Sequence, residues 1–332
     1  MLRRCVGHDY TERRMYMVTM VTEGRQPLFG TLVGDNEAEA RVELSALGQA
    51  VSDNWFAIPQ HFPQIEVIAL QMMPDHLHGI LFVREKLEKH FGQVLSGFKA
   101  GCNKDYRRLV FGVGSVVAVP QQKGQPQQKE QKRPPRSADD RNHGLLFARG
   151  YNDKLLLRAG QLEVWKNYLR DNPRRLFIKR HHPDLFRVQF GLQFGSQTYS
   201  ALGNRFLLSH PFRRQVQCSR KLSEKQIQTE IRKALAAAAQ GAVHVSPAIS
   251  PGEKAVMRTL LNAGFPLVFL EENGLTPYTK PGNGFFQACA NGQLLILAPW
   301  EHHNEQIPIT RNKCLVLNEL AKNICNINTY LT

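Results

Sequence analysis

The sequence predicts an α/β protein of the α+β kind, with a helix-packed sheet over residues 1–195 and a smaller α/β domain toward the C-terminus. Three observations predict it. Stretches rich in β-branched and aromatic residues alternate with amphipathic stretches in the order β-α-β-β-α-β-α up to about residue 172. A low-complexity Gln/Lys/Pro run at 120–143 then interrupts the pattern without the apolar residues a core needs. Beyond about residue 220, short apolar runs alternate with helical patterns again, as small parallel α/β domains do.

Taken in order, residues 15–22 (Met-Tyr-Met-Val-Thr-Met-Val-Thr) read as a strand. Residues 37–56 are rich in Ala, Glu and Leu at helical spacing and read as a helix ending near Ile58-Pro59. Residues 64–73 and 77–84 read as paired strands joined at Met73-Pro74-Asp75, and 87–109 as an amphipathic helix with a basic end. A disordered insertion is expected at about 118–143. A strand is expected at 145–157, then a helix at 161–172, because Pro173 disfavours helical geometry at Asn172. Residues 196–220 read as a linker. Within 221–332 the pattern gives helices at 222–240, to about 263 and at 312–325, with strands at 242–245, 266–270 and 293–298.

Composition narrows the function. The 332 residues carry 43 Lys+Arg against 28 Asp+Glu, a formal charge of +15, which points to a polyanionic partner and most directly to nucleic acid. Between Lys132 and Arg187 there are 14 Lys/Arg against 6 Asp/Glu, so the basic region is concentrated. No apolar run reaches the roughly 18–20 residues of a membrane span, and the N-terminus lacks the apolar segment of a secretory signal. The six cysteines include no CxxC pair, which suits a reducing compartment and argues against a zinc ribbon.

The chemistry is concentrated in two segments. In Met73-Pro74-Asp75-His76-Leu77-His78, the two histidines are i and i+2 on a strand. Both imidazoles therefore share one face, about 7 Å apart along the chain, a spacing that suits two nitrogen ligands of one divalent ion. In Tyr168-Leu169-Arg170-Asp171-Asn172-Pro173, the tyrosine and Asn172 are i and i+4, on one helix face. A phenol can attack phosphorus, and an amide one turn on can address the same metal-bound phosphate. Each segment also has a plain structural reading, as exposed histidines, a half-buried aromatic and an Asn near a helix end.

Together these segments resemble the single-tyrosine HUH transposases of bacterial insertion sequences, and their REP-associated relatives most of all. Phe98-Lys99 and Gly150-Tyr151-Asn152-Asp153 support the resemblance, which covers about residues 8–190. It implies a ferredoxin-like HUH domain with a central antiparallel sheet. It also implies Mg2+ or Mn2+ held by His76, His78 and Asn172, with Tyr168 the nucleophile that becomes linked to a 5′-phosphate of single-stranded DNA. Tyr151 is the rival nucleophile. The implied partner is single-stranded or hairpin DNA, with no membrane, a bacterial cytoplasmic and nucleoid-associated location, and a homodimer left open. The long insertion and the second domain depart from the pattern of the short relatives. A replication initiator or relaxase with the same metal site, and a non-catalytic DNA-binding protein, are the alternatives.

Phosphate contacts are expected from Lys99, Lys104, Arg107 and Arg108 on one helix and from Arg170, Arg174, Arg175, Lys179 and Arg180 after the tyrosine. Phe147, Tyr151 and Phe177 are candidate stacking platforms, though each reads more readily as a core residue. His181, His182 and the pair at 302–303 read as surface or loop. Residues 241–325 weakly resemble the Rossmann-like domain of DNA-processing protein A, through Gly241-Ala-Val-His-Val-Ser246, Ser250-Pro-Gly-Glu-Lys254, Pro266-Leu-Val-Phe-Leu270 and Ile309-Thr-Arg-Asn312. The turn from Ser246 to Gly252 is a plausible anion site, though prolines at 247 and 251 spoil the glycine pattern, so structural support or DNA contact is the safer expectation.

Overall fold

The computed structural model describes residues 7–111, 145–305 and 307–327. The insertion expected at 118–143 lies outside the described residues. The chain forms two compact units, the first ending at Phe177 and the second starting at Ile178.

Four strands build the main sheet of the first unit: β1 (Met15–Val21), β4 (Ile65–Met73), β5 (His76–Val83) and β6 (Asn152–Leu155). A two-stranded hairpin of β2 (Gly30–Val33) and β3 (Arg41–Leu44) follows β1. Helices α1 (Ala46–Phe56) and α2 (Ile58–His61) precede β4, α3 (Phe91–Phe111) precedes β6, and α4 (Gln161–His181) follows it. The spatial order is β4-β5-β1-β6, with every neighbour antiparallel. Strand-helix-strand-strand-helix-strand connectivity in that order is the ferredoxin-like arrangement the sequence predicts.

Along β1 and β5 the side chains sort by parity. Tyr16, Val18 and Met20 of β1, with Leu77 and Leu81 of β5, face a core shared with Trp55 of α1 and Phe91, Leu95 and Phe98 of α3. Gly79 sits on that face because a Cβ there would lie 2.1 Å from the Trp55 ring. Met17 and Ile80 point the other way and meet Leu169 of α4, with Leu162, Trp165 and Tyr168 packed around them. The sheet thus separates α1 and α3 from the helix that carries Tyr168.

Several expected elements differ. The helix expected at 37–56 begins only at Ala46, behind a Ser45 cap whose hydroxyl accepts from the Gly48 amide. Before it, the Asn36 side chain accepts from the Ala38 and Glu39 amides, and this local turn closes the β2–β3 hairpin instead. The strand expected at 145–157 shortens to β6, with only a bridge between Phe147 and Thr22 ahead of it. Helix α4 does not stop at Asn172 but runs through Pro173 to His181. The proline removes one helical donor. Around it Asp171 pairs with Arg174 at 3.3 Å and Arg175 at 3.9 Å, and Ile178 is buried one turn on.

In the second unit, a short helix α5 (Pro183–Phe186) precedes β7 (Gln189–Phe194), β8 (Gln197–Gly203) and β9 (Arg213–Gln215). Then come α6 (Glu224–Ala239), β10 (Val243–Ser246), α7 (Pro251–Asn262), β11 (Leu267–Leu270), α8 (Asn283–Ala290), β12 (Leu294–Ala298) and α9 (Arg311–Asn326). The sheet order is β7-β8-β12-β11-β10-β9. Strands β9 to β12 are parallel, and β8 joins β12 antiparallel. Residues 196–220, expected as a linker, therefore supply β8 and β9, so the boundary falls about twenty residues earlier. Strand β8 inserts against β12 with Tyr199, Ala201 and Leu202 buried, which a linker's exposed composition would not allow. Strands β11 and β12 are apolar on both faces: Ala234, Val256, Leu260 and Cys289 cover one side of the sheet, and Leu317, Ala321 and Ile324 of α9 cover the other.

Candidate active site

The face of the main sheet beneath α4 is apolar at one end and polar at the other. Ala69, Ile80 and Met17 align across β4, β5 and β1, and Leu169 packs on them. Two residues along, the aligned row is Gln71, His78, Thr19 and Asn152 across all four strands. The His76 position lies one further step along β5, on the same face. Tyr168 stands over this change from apolar to polar.

His76 and His78 are brought together as their spacing predicts. Their ring centroids are 4.8 Å apart and nearly perpendicular, closer than the backbone spacing because the rings lean toward each other. His78 is buried, and its Nδ1 lies 2.8 Å from the Thr19 hydroxyl. His76 is more open, with Nδ1 2.6 Å from the Asp75 carboxylate. Asp75 also accepts from Arg25 at 3.1 Å. Burial alone would raise this carboxyl, but the hydrogen bonds and charges of His76 and Arg25 outweigh it and hold the group below the usual range.

The Tyr168 ring lies 6.0 Å from the His78 ring and 5.4 Å from Trp165, edge-on to both, with the Arg175 guanidinium 5.6 Å above it. One turn on, Asn172 is buried and its Nδ2 has no hydrogen-bond partner. An amide binds a cation through its oxygen, so Oδ1 is the atom Asn172 would offer. Two imidazoles and an amide suit a divalent ion of intermediate hardness that leaves positions open for phosphate oxygens. Among the described residues no group of three or more His, Cys, Asp or Glu gathers anywhere, so this set stands apart from carboxylate or thiolate cages. Tyr151, the rival nucleophile, packs with the core on the opposite face of the sheet.

The expected phosphate contacts divide. Lys104, Arg107, Arg170 and Arg180 are exposed. Arg108 pairs with Asp105 at 2.9 Å. Arg174 is held between Asp171 and Glu37, and Arg175 lies against Asp171 and Tyr168. Lys179 lies over the Phe286 ring. Lys99 is a correction: its ammonium donates to the Ala148 and Gly150 carbonyls at 3.0 and 2.5 Å, tying α3 to the segment before β6. Phe147 is buried in the core, as the plainer reading of it expects. Thr19, Gln71 and Asn152 escaped the sequence reading, although alternation along 15–22 already puts Thr19 on the face of Met17.

The turn before α7 is occupied by the chain itself. Glu253 is buried, and its carboxylate accepts from the amides of Cys218 (3.1 Å), Ile249 (2.7 Å) and Ser250 (3.0 Å). These are the donors an incoming phosphate would need at a helix N-terminus. The anion site expected at this turn is thus filled internally, which favours the structural reading of the turn.

His244 is the odd residue of the second core. It is fully buried on β10, neither ring nitrogen has a partner, and it lines a cavity of about 50 Å³ with Gln215, Cys218, Glu230 and Lys233. Burial, aided by Arg214, pushes its pKa down to about 4 from 6.5. Above 6.5 the ring is neutral folded or unfolded and pH does not matter. As pH falls through 6.5, the unfolded chain takes up a proton that the folded chain refuses, and stability is lost until about 4. That amounts to about 2–3 kcal/mol by pH 4.5. His244→Leu is expected to flatten this part of the stability profile in urea unfolding at pH 7.5 and 4.5. Parallel profiles for the two proteins would refute the assignment.

No family model matches the chain. It is 30% identical over 85 residues to an uncharacterized protein of Haemophilus influenzae, which is 26% of this chain and 44% of that protein. The chain therefore spans less than half the length of that relative. Among solved structures it is similar to a REP-associated tyrosine transposase bound to a REP hairpin, at 10% identity over 51% of this chain and 72% of that one, with a TM-score of 0.31. A candidate transposase from Deinococcus radiodurans matches at 12% identity over 51% of this chain and 98% of that one, TM-score 0.28. DNA processing protein A from Helicobacter pylori, solved for its single-stranded DNA binding mode, matches at 20% identity over 41% and 60%, TM-score 0.31. Among the described residues, no helix is long and apolar enough to cross a membrane.

Proposed function

We propose that the chain is a transposase-type enzyme that nicks and rejoins single-stranded DNA through a phosphotyrosine at Tyr168. The observation that carries this reading is the grouping of two imidazoles 4.8 Å apart on one sheet face with a tyrosine ring 6.0 Å from His78, and the buried Asn172 one turn along the tyrosine's helix. In the forward step the Tyr168 Oη gives up its proton and forms a bond to phosphorus. The bond from phosphorus to the 3′ oxygen breaks, and that oxygen takes up a proton and leaves as a 3′-OH. Attack by a 3′-OH on the same phosphotyrosine reverses the step and rejoins the strand. Mg2+ or Mn2+ bound by His76, His78 and Asn172 would polarise the scissile phosphate and offset its developing charge. The exposed Arg170, on the tyrosine's own helix, holds the strand by its phosphates. A DNA substrate places the protein in the cytoplasm beside the nucleoid.

The test is incubation with Mn2+ and a library of single-stranded oligonucleotides that carry a fixed hairpin and a randomised flank. Denaturing gels should show a protein–DNA adduct and a free 3′-OH product. Opening a duplex costs about 1.4 kcal/mol per base-pair step. Fully paired versions of the selected sites should therefore give less than about a tenth of the adduct. Equal adduct on duplex would overturn the single-strand reading, and no adduct on either would overturn the covalent route.

A further inference from the structure

The two histidines are each held at Nδ1, by partners of different kinds. Asp75 is an acceptor only, so the hydrogen at the 2.6 Å contact belongs to His76 Nδ1. The Thr19 contact could run either way, since a hydroxyl donates and accepts. A second contact bears on it. The Met17 sulfur, two residues away on the same face of β1, lies 3.7 Å from the Thr19 oxygen and can take its one hydrogen. The Thr19 oxygen is then free to accept from His78 Nδ1–H. The lone pair of each imidazole then sits on Nε2.

We infer that Thr19 is a positioning residue for His78, selecting the tautomer that presents an Nε2 lone pair to the metal. The inference rests on the metal site proposed above and adds a residue to it that touches neither ion nor substrate. Strand pairing places Thr19 directly opposite His78, so the contact follows from register and not from a flexible side chain. Metal-binding histidines are commonly fixed in this way, and loss of the outer partner typically weakens metal affinity about 10- to 100-fold.

The test uses the full chain with 15N-labelled histidine, and His78 assigned by comparison with His78→Ala. Two-bond proton–nitrogen spectra of the metal-free protein should show the Nδ1–H form of His78 in the wild type. Thr19→Val keeps the β-branched shape and removes the hydroxyl. It should populate the Nε2–H form and weaken Mn2+ binding at least 10-fold by calorimetry, with the thermal unfolding midpoint little changed. Thr19→Ser should restore both. A Thr19→Val protein that keeps the wild-type tautomer and affinity overturns the role of Thr19 while leaving the metal site standing. Failure of the wild type itself to bind Mn2+ overturns the metal site, and with it the purpose assigned to the Thr19 contact.

Discussion

Tyr168→Phe is expected to abolish the covalent protein–DNA adduct, a loss of at least about 10³-fold, while the affinity for single-stranded DNA changes less than about twofold. The phenol oxygen is the only atom removed. The ring stays wedged between Trp165 and His78 and beneath Arg175, so the packing of α4 on the sheet is kept. A nucleophile is needed for the covalent step alone, and its removal leaves phosphate contacts in place. Tyr151→Phe is the matched control. Tyr151 packs with the core that contains Tyr16 and Phe91, on the far side of the sheet from His76 and His78. Its replacement should leave adduct formation near the wild-type level. Adduct undiminished in Tyr168→Phe and lost in Tyr151→Phe would transfer the nucleophile to Tyr151.

The parts of this site that were legible in the sequence are those whose geometry is local. His76 and His78 share a face because strand side chains alternate, and Tyr168 and Asn172 share one because a helix turns in about 3.6 residues. Neither inference needs the rest of the chain. Thr19 was not legible, because its partner is 59 residues away and only the register of β1 against β5 brings them together. Lys99 misled for the opposite reason. Its charge suggests solvent, but the carbonyls it satisfies belong to a segment 49 and 51 residues on. The hairpin at 30–44 was missed because its Ala and Glu residues favour a helix, and a single Asn36 turn outweighs them. Strands β8 and β9 carry Gln, Thr and Ser or Arg and Gln in place of an apolar run, and gain their meaning from β12 and β10 beside them. Pro173 misled because the rule for the residue before proline is a bias, and the helix carries on past it to His181.

His76→Ala and His78→Ala should each reduce DNA cleavage to the level the wild type shows in EDTA, and each should weaken Mn2+ binding by more than about 100-fold. Removing one of three protein donors leaves an imidazole and an amide, too few to hold the ion against water. The two variants should nonetheless differ in stability. The His76 side chain keeps 20% of its surface exposed, and its Asp75 partner retains Arg25 when the imidazole goes. His76→Ala should therefore cost under about 0.5 kcal/mol, as at an ordinary surface position. His78 is buried at 8% exposure between Thr19 and Tyr168. Its truncation opens a space beside the tyrosine ring and takes away the hydrogen bond to the Thr19 hydroxyl, so His78→Ala should cost about 1–3 kcal/mol. Urea unfolding in EDTA isolates this difference from metal binding, and oligonucleotide affinity in the same buffer should be unchanged in both variants because the phosphate-binding cations lie elsewhere. Cleavage that continues at full rate in EDTA, or in either alanine variant with Mn2+ present, would remove the two histidines from the chemistry and leave them as packing between the sheet and α4.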